Sequence, residues 1–103
     1  RVTETTTHNH LTKLPAWSEN QAKQEAAKAE IQLTDAHLEV ILLARQFYTT
    51  YGFSPSMRPL IKFMAEYLEI SKARSIYLMQ LFPPSPAKQV ARLAGLPPPK
   101  NCL

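Results

Sequence analysis

The sequence predicts a mainly α-helical domain: five helices in an orthogonal bundle, with a small N-terminal β-hairpin that makes it α+β. A flexible C-terminal arm follows. Three observations carry this. Apolar residues recur at helical spacing through most of residues 34–94. Gly52, Pro59, Pro83-Pro84, Pro86 and Gly95 stand where such helices would begin or end. The last nine residues, GLPPPKNCL, hold three consecutive prolines and cannot be helical. Residues 1–94 are therefore expected as one domain, with the hairpin at 1–13, and residues 95–103 as a mobile arm.

The hairpin rests on RVTETTT, whose β-branched alternation suits a strand. His8-Asn9 would turn the chain, and His10 to Lys13 would return. The first helix starts at Trp17-Ser18-Glu19-Asn20-Gln21. Ser18 is its cap, Gln21 the capping-box partner and Trp17 a hydrophobic staple. Residues 19–30 are rich in Ala, Gln, Lys and Glu, so this helix should pack lightly. Thr34-Asp35 opens the strongest element. Leu38, Ile41, Leu42, Arg45, Tyr48 and Thr49 keep one helical spacing; Val40, Leu43 and Phe47 fill an adjoining face. That pattern predicts a central helix reaching about Tyr51 and ended by Gly52.

Phe53-Ser54-Pro55 is a turn. A helix then begins at Ser56 or its neighbour, because Pro59 fits only a first turn. It carries Leu60, Ile61, Phe63, Met64, Tyr67 and Leu68. Ser71 is expected to cap a fourth helix with Ile76, Tyr77, Met79, Gln80 and Leu81, ended by Pro83-Pro84. Ser85-Pro86 opens the fifth, which Gly95 stops. The aromatics, at helical spacing, are expected in the core, with some near Tyr51-Gly52-Phe53 lining a groove for the arm.

The totals exclude several classes. A chain of 103 residues with 45% hydrophobic and 19% charged residues folds as one small globule. No apolar run approaches the roughly 20 residues of a membrane span. A net charge of +4 permits an acidic partner without identifying one. The single cysteine rules out an internal disulfide and suits a reducing cytosol. The chain begins at Arg1 without a methionine, so the native N-terminus is expected to be trimmed or disordered. His8 and His10 lack acidic or thiol neighbours, so no metal site is expected.

The cysteine is Cys102, near the end of the proline-rich arm. A thiolate becomes an effective nucleophile when it is exposed and close to positive charge. Lys100 lies beside it, and Lys88 and Arg92 share one face of the helix that launches the arm. These three are candidates to steady a thiolate or persulfide. With Gly95 as hinge and Leu96, Pro97 and Pro99 setting the reach, the sulfur could travel about 20 Å, at roughly 3.1 Å per residue. A sulfur on a tether owns no fixed base or oxyanion hole. It can enter another protein's active site, so carrier chemistry fits better than stand-alone catalysis.

The segments Leu81-Phe82-Pro83-Pro84-Ser85-Pro86-Ala87-Lys88-Gln89, Ala94-Gly95-Leu96-Pro97, Pro99 and Cys102 resemble the C-terminal signature of the TusE/DsrC family. Phe47-Tyr48, Tyr51-Gly52, Ser54-Pro55-Ser56 and Arg58 look like its central helix and turn, and Trp17-Ser18-Glu19 like its first helix start. Ser85 replaces a usual glycine and Pro98 a usual lysine. Members of the sulfite-reductase branch carry a second cysteine eleven positions before the terminal one; here that position is Ala91. The resemblance is therefore to the TusE-type branch.

It implies a DsrC-like fold with helix-turn-helix character and a cytoplasmic sulfurtransferase. Cys102 would accept persulfide sulfur from TusD of a TusBCD-type complex. It would pass that sulfur to the tRNA thiolase MnmA for wobble 2-thiouridine. No cofactor beyond the covalent persulfide is implied, and neither membrane nor DNA is an expected partner. Whether such a carrier counts as an enzyme in its own right stays open. The rival readings are a DsrC-like carrier of another sulfur pathway and a helix-turn-helix nucleic-acid-binding regulator built on Arg58, Lys62, Lys72 and Arg74. A proline-rich SH3 ligand is weaker still, since the prolines already serve as helix ends and tether.

Overall fold

The computed structural model describes Leu14 and residues 16–99, and within them five α-helices. These are α1 (Glu19–Lys28), α2 (Asp35–Tyr51), α3 (Met57–Tyr67), α4 (Ser75–Leu81) and α5 (Pro86–Leu93). One 3-10 turn, Ile70–Lys72, joins α3 to α4. The hairpin expected over residues 1–13, with His8 and His10, lies outside the described residues, as do Lys100 and Cys102. Among the described residues there is no strand.

The helix ends follow local chemistry. The Ser18 hydroxyl accepts the Gln21 amide at 3.3 Å, capping α1. At the start of α2 the Thr34 amide donates to His37 Nδ1 at 3.1 Å, a capping box with histidine in the glutamate's place. Because Nδ1 accepts there, the proton sits on Nε2, which donates to the Leu81 carbonyl at 2.8 Å. His37 is buried, edge-on to Phe82, so it ties the first turn of α2 to the last turn of α4. Gly52 ends α2 at φ 80°. Pro59 falls in the first turn of α3, as its missing N–H requires. Ser71 does not cap α4. It sits within the 3-10 turn, and Arg74 occupies the cap position. Pro86 is the first residue of α5.

The core draws most heavily on α2, through Val40, Ile41, Leu43, Ala44, Phe47 and Tyr48. It is α5, however, that packs against each of the other four helices. Its buried face combines Pro86, Ala87, Val90 and Ala91 with the larger Leu93. As predicted, α1 packs lightly, burying only Ala22 and Ala26. The aromatics divide. Phe47, Tyr48, Phe63 and Phe82 are core, but Tyr51, Phe53 and Tyr67 are each more than half exposed, at 54%, 51% and 55%. They extend past the ends of the faces that α2 and α3 turn inward, so helical spacing alone overstated their burial.

Candidate functional site: the root of the C-terminal arm

The arm leaves the domain through a built junction. Gly95 adopts φ +72°, the left-handed conformation that glycine tolerates best. Its amide donates to the Arg92 carbonyl at 3.3 Å, and the Leu96 amide to the Ala91 carbonyl at 2.8 Å. These two bonds are a Schellman motif, and they turn the chain back so that Leu96 buries beside Ala91 in the core.

Two side chains satisfy further carbonyls at the end of α5. Trp17 Nε1 donates to the Leu93 carbonyl at 2.8 Å. Arg45 donates to the Ala94 carbonyl at 2.5 Å. The Arg45 guanidinium also lies 4.5 Å from the centroid of the Trp17 ring, a cation–π contact. Burial lowers the Arg45 guanidinium from its ordinary value, and the carbonyl and indole face replace part of the lost water. Gly95 fits between the two: a Cβ there would lie 2.8 Å from Trp17 Cδ1.

Beyond the junction, the Ser54 hydroxyl donates to the Pro97 carbonyl, and Pro99 is buried. Gly95 to Pro99, expected as hinge and reach, thus lie along the helical body. The physical reason is that the Schellman turn commits Leu96 to the core and Ser54 holds the next carbonyl. A cavity of about 350 Å³ opens beside this segment, between Tyr48, Gly52, Phe53 and Ser54 on one side and Pro97 and Pro98 on the other. The groove expected near Tyr51-Gly52-Phe53 is therefore present, with the root of the arm as one wall.

Lys88 and Arg92 do come together with the arm, lining a shallow groove with Leu96 and Pro98. Arg92 is also paired with Glu25 of α1 at 3.0 Å. That bond, with Lys28 at 3.2 Å, holds the Glu25 carboxyl below its ordinary range. Of the basic stretch weighed for nucleic acid, Lys72 is drawn to Glu39 at 3.1 Å.

Sequence reasoning missed three parts of this site. Trp17 was expected as a local staple, but its indole reaches 76 positions along the chain. Arg45 interrupts an apolar face of α2, and a cation at a core spacing requires a partner; that was the available signal. Ser54, buried between Phe53 and Pro55, carried none.

Ala91, on the inner face of α5, is only 2% exposed. The family described as DsrC like protein matches residues 1–103, the entire chain. The chain belongs to this family. Among similar proteins, a sulfurtransferase TusE homolog from Haemophilus influenzae is 48% identical over 97% of this chain and 92% of its own length. The sulfurtransferase TusE of Yersinia pseudotuberculosis is 40% identical over 100% of the chain and 95% of its own.

The NMR structure of Allochromatium vinosum DsrC superposes with a TM-score of 0.77 at 38% identity, covering 85% of this chain and 79% of that one. The crystal structure of oxidized DsrC, the dissimilatory sulfite reductase gamma-subunit of Archaeoglobus fulgidus, gives 0.67 at 32%, covering 84% and 80%. With TusE sulfurtransferases as relatives and DsrC as structural neighbours, this DsrC-like chain is a sulfur-relay protein. No helix among its described residues is long and apolar enough to cross a membrane. No group of metal-binding side chains occurs among them either.

Proposed function

We propose that the protein is a TusE-type persulfide carrier with Cys102 as the acceptor and donor atom. One observation carries the reading: the chain's only thiol lies three residues beyond Pro99, and Ala91 stands where a second one would be. The Cys102 thiolate attacks the outer sulfur of a donor persulfide. The S–S bond of the donor breaks, the donor cysteine leaves as a thiolate, and Cys102 becomes a persulfide. The transfer has no net oxidation or reduction. A second exchange of the same kind hands the sulfur to the acceptor.

In this reading the donor is TusD within a TusBCD-type complex. The acceptor is an MnmA-type thiolase with its tRNA, in the cytoplasm, and wobble 2-thiouridine is the product. Lys88, Arg92 and Lys100 steady the negative sulfur, and neither metal nor organic cofactor enters. Without a second cysteine the carrier cannot close an internal disulfide. That separates it from DsrC-type carriers of the sulfite-reductase branch.

The test is intact mass after incubation with a cysteine desulfurase, cysteine and the TusBCD-type complex. Wild type should gain one sulfur, about 32 Da, removable by reductant and absent in Cys102→Ser. A wild type that never gains sulfur, yet binds duplex DNA with sequence preference, would overturn the proposal.

A further inference from the structure

We infer that the face at the root of the arm docks the protein that delivers sulfur to this chain. That partner presents an apolar side chain next to a carboxylate. The inference rests on the carrier reading above and adds where, and by what chemistry, the partner is held.

Pro98 borders two mainly apolar grooves, of which the second also has two cationic residues in its wall. On one side lies the apolar cavity of about 350 Å³, walled by Phe53 and the proline rings. On the other lies the groove of Lys88 and Arg92. An apolar group in the first, beside a negative group near Lys88 and Arg92 of the second, would engage both. Arg92 already pairs with Glu25. Among the described residues Lys88 has no ion pair, so the charge the second groove calls for is a single carboxylate.

The surface leading away from the cavity is aromatic. Phe53 and Phe63 each stand edge-on to Phe47 at 5.4 Å, and Tyr67 lies 4.8 Å from Phe63. Phe47 and Phe63 are themselves buried, so the exposed rings of this strip are Tyr51, Phe53 and Tyr67, seated on that buried pair, and exposed aromatics of this kind are enriched at protein-interface centres. Glu66 lines this strip together with Lys62. A carboxylate there repels a phosphate backbone, so the mixed charge favours a protein over RNA.

The test uses the full chain and its sulfur donor complex. Phe53→Ala should load sulfur on Cys102 from inorganic polysulfide at the wild-type rate, because no partner is involved. Its loading from the donor complex should fall at least about tenfold, as removal of an interface anchor does. Wild-type loading from the complex should slow with added salt, and Lys88→Ala should flatten that dependence.

Full-rate transfer by Phe53→Ala, with no salt dependence in wild type, would overturn the surface and leave the carrier reading intact. Equal loss from polysulfide and from the complex would mean that the cavity serves the chain's own last residues, and would overturn it too. So would binding of tRNA alone that both variants weaken. A wild type that gains no sulfur from any source sinks the carrier reading itself. A melting curve on each variant confirms that it is folded.

Discussion

Gly95 shows how one residue sets the direction of the arm. Its positive φ puts the next amide within reach of the Ala91 carbonyl, and its missing side chain admits the Trp17 ring. Gly95→Ala meets both costs: a left-handed alanine and a Cβ 2.8 Å from Trp17 Cδ1. Stability should fall by about 2 kcal/mol, lowering the melting temperature by roughly 10 °C in a domain of this size. Thermal unfolding followed by circular dichroism checks it; an unchanged midpoint would mean the junction relaxes freely. His37 works by the same economy at the other end of the bundle. One imidazole closes the start of α2 with Nδ1 and the end of α4 with Nε2.

At the scale of elements, the arm root behaves as an extension of α5. Read from the sequence, deleting Pro97 to Pro99 should leave stability almost unchanged, because a free tether stabilises nothing. The structure changes that expectation. The deletion removes the Ser54–Pro97 bond and the buried Pro99, so unfolding in urea should show a loss of about 1–2 kcal/mol. Sulfur delivery to the partner should still be abolished, since Cys102 is drawn back by three residues. The urea midpoint and single-turnover transfer separate the two effects. The other end of α5 needs no such revision, because Ser85-Pro86 specifies a helix start by itself.

Across the whole molecule, Trp17 fastens the start of the described chain to its end. Its indole bonds a carbonyl 76 residues away, stacks under Arg45 and packs on the core. Trp17→Ala should therefore lower global stability by about 3 kcal/mol, the usual scale for a large aromatic removed from a core margin. Trp17→Phe keeps most of the packing but strands the Leu93 carbonyl, and should cost about 1 kcal/mol. Chemical denaturation of both variants measures the two values. A Trp17→Ala loss confined to the first helix, with α5 still protected from amide exchange, would show that the fastening is local.

What the sequence determined is local in origin. Helix starts at Ser18, Thr34 and Pro86, and stops at Gly52 and Gly95, follow from backbone chemistry that acts within a few residues. Amphipathic spacing likewise placed Val40, Ile41 and Leu60 inside, and the order of Leu81-Phe82-Pro83 through Cys102 was enough to suggest the family. Tertiary structure alone decided which partners meet across the chain: Trp17 and Arg45 at the end of α5, Ser54 under Pro97, and Leu96 and Pro99 against the body. Such contacts join residues more than forty positions apart, and no local spacing encodes them. They exist because an ended helix leaves carbonyls that must be satisfied, and the fold brings the donors that satisfy them.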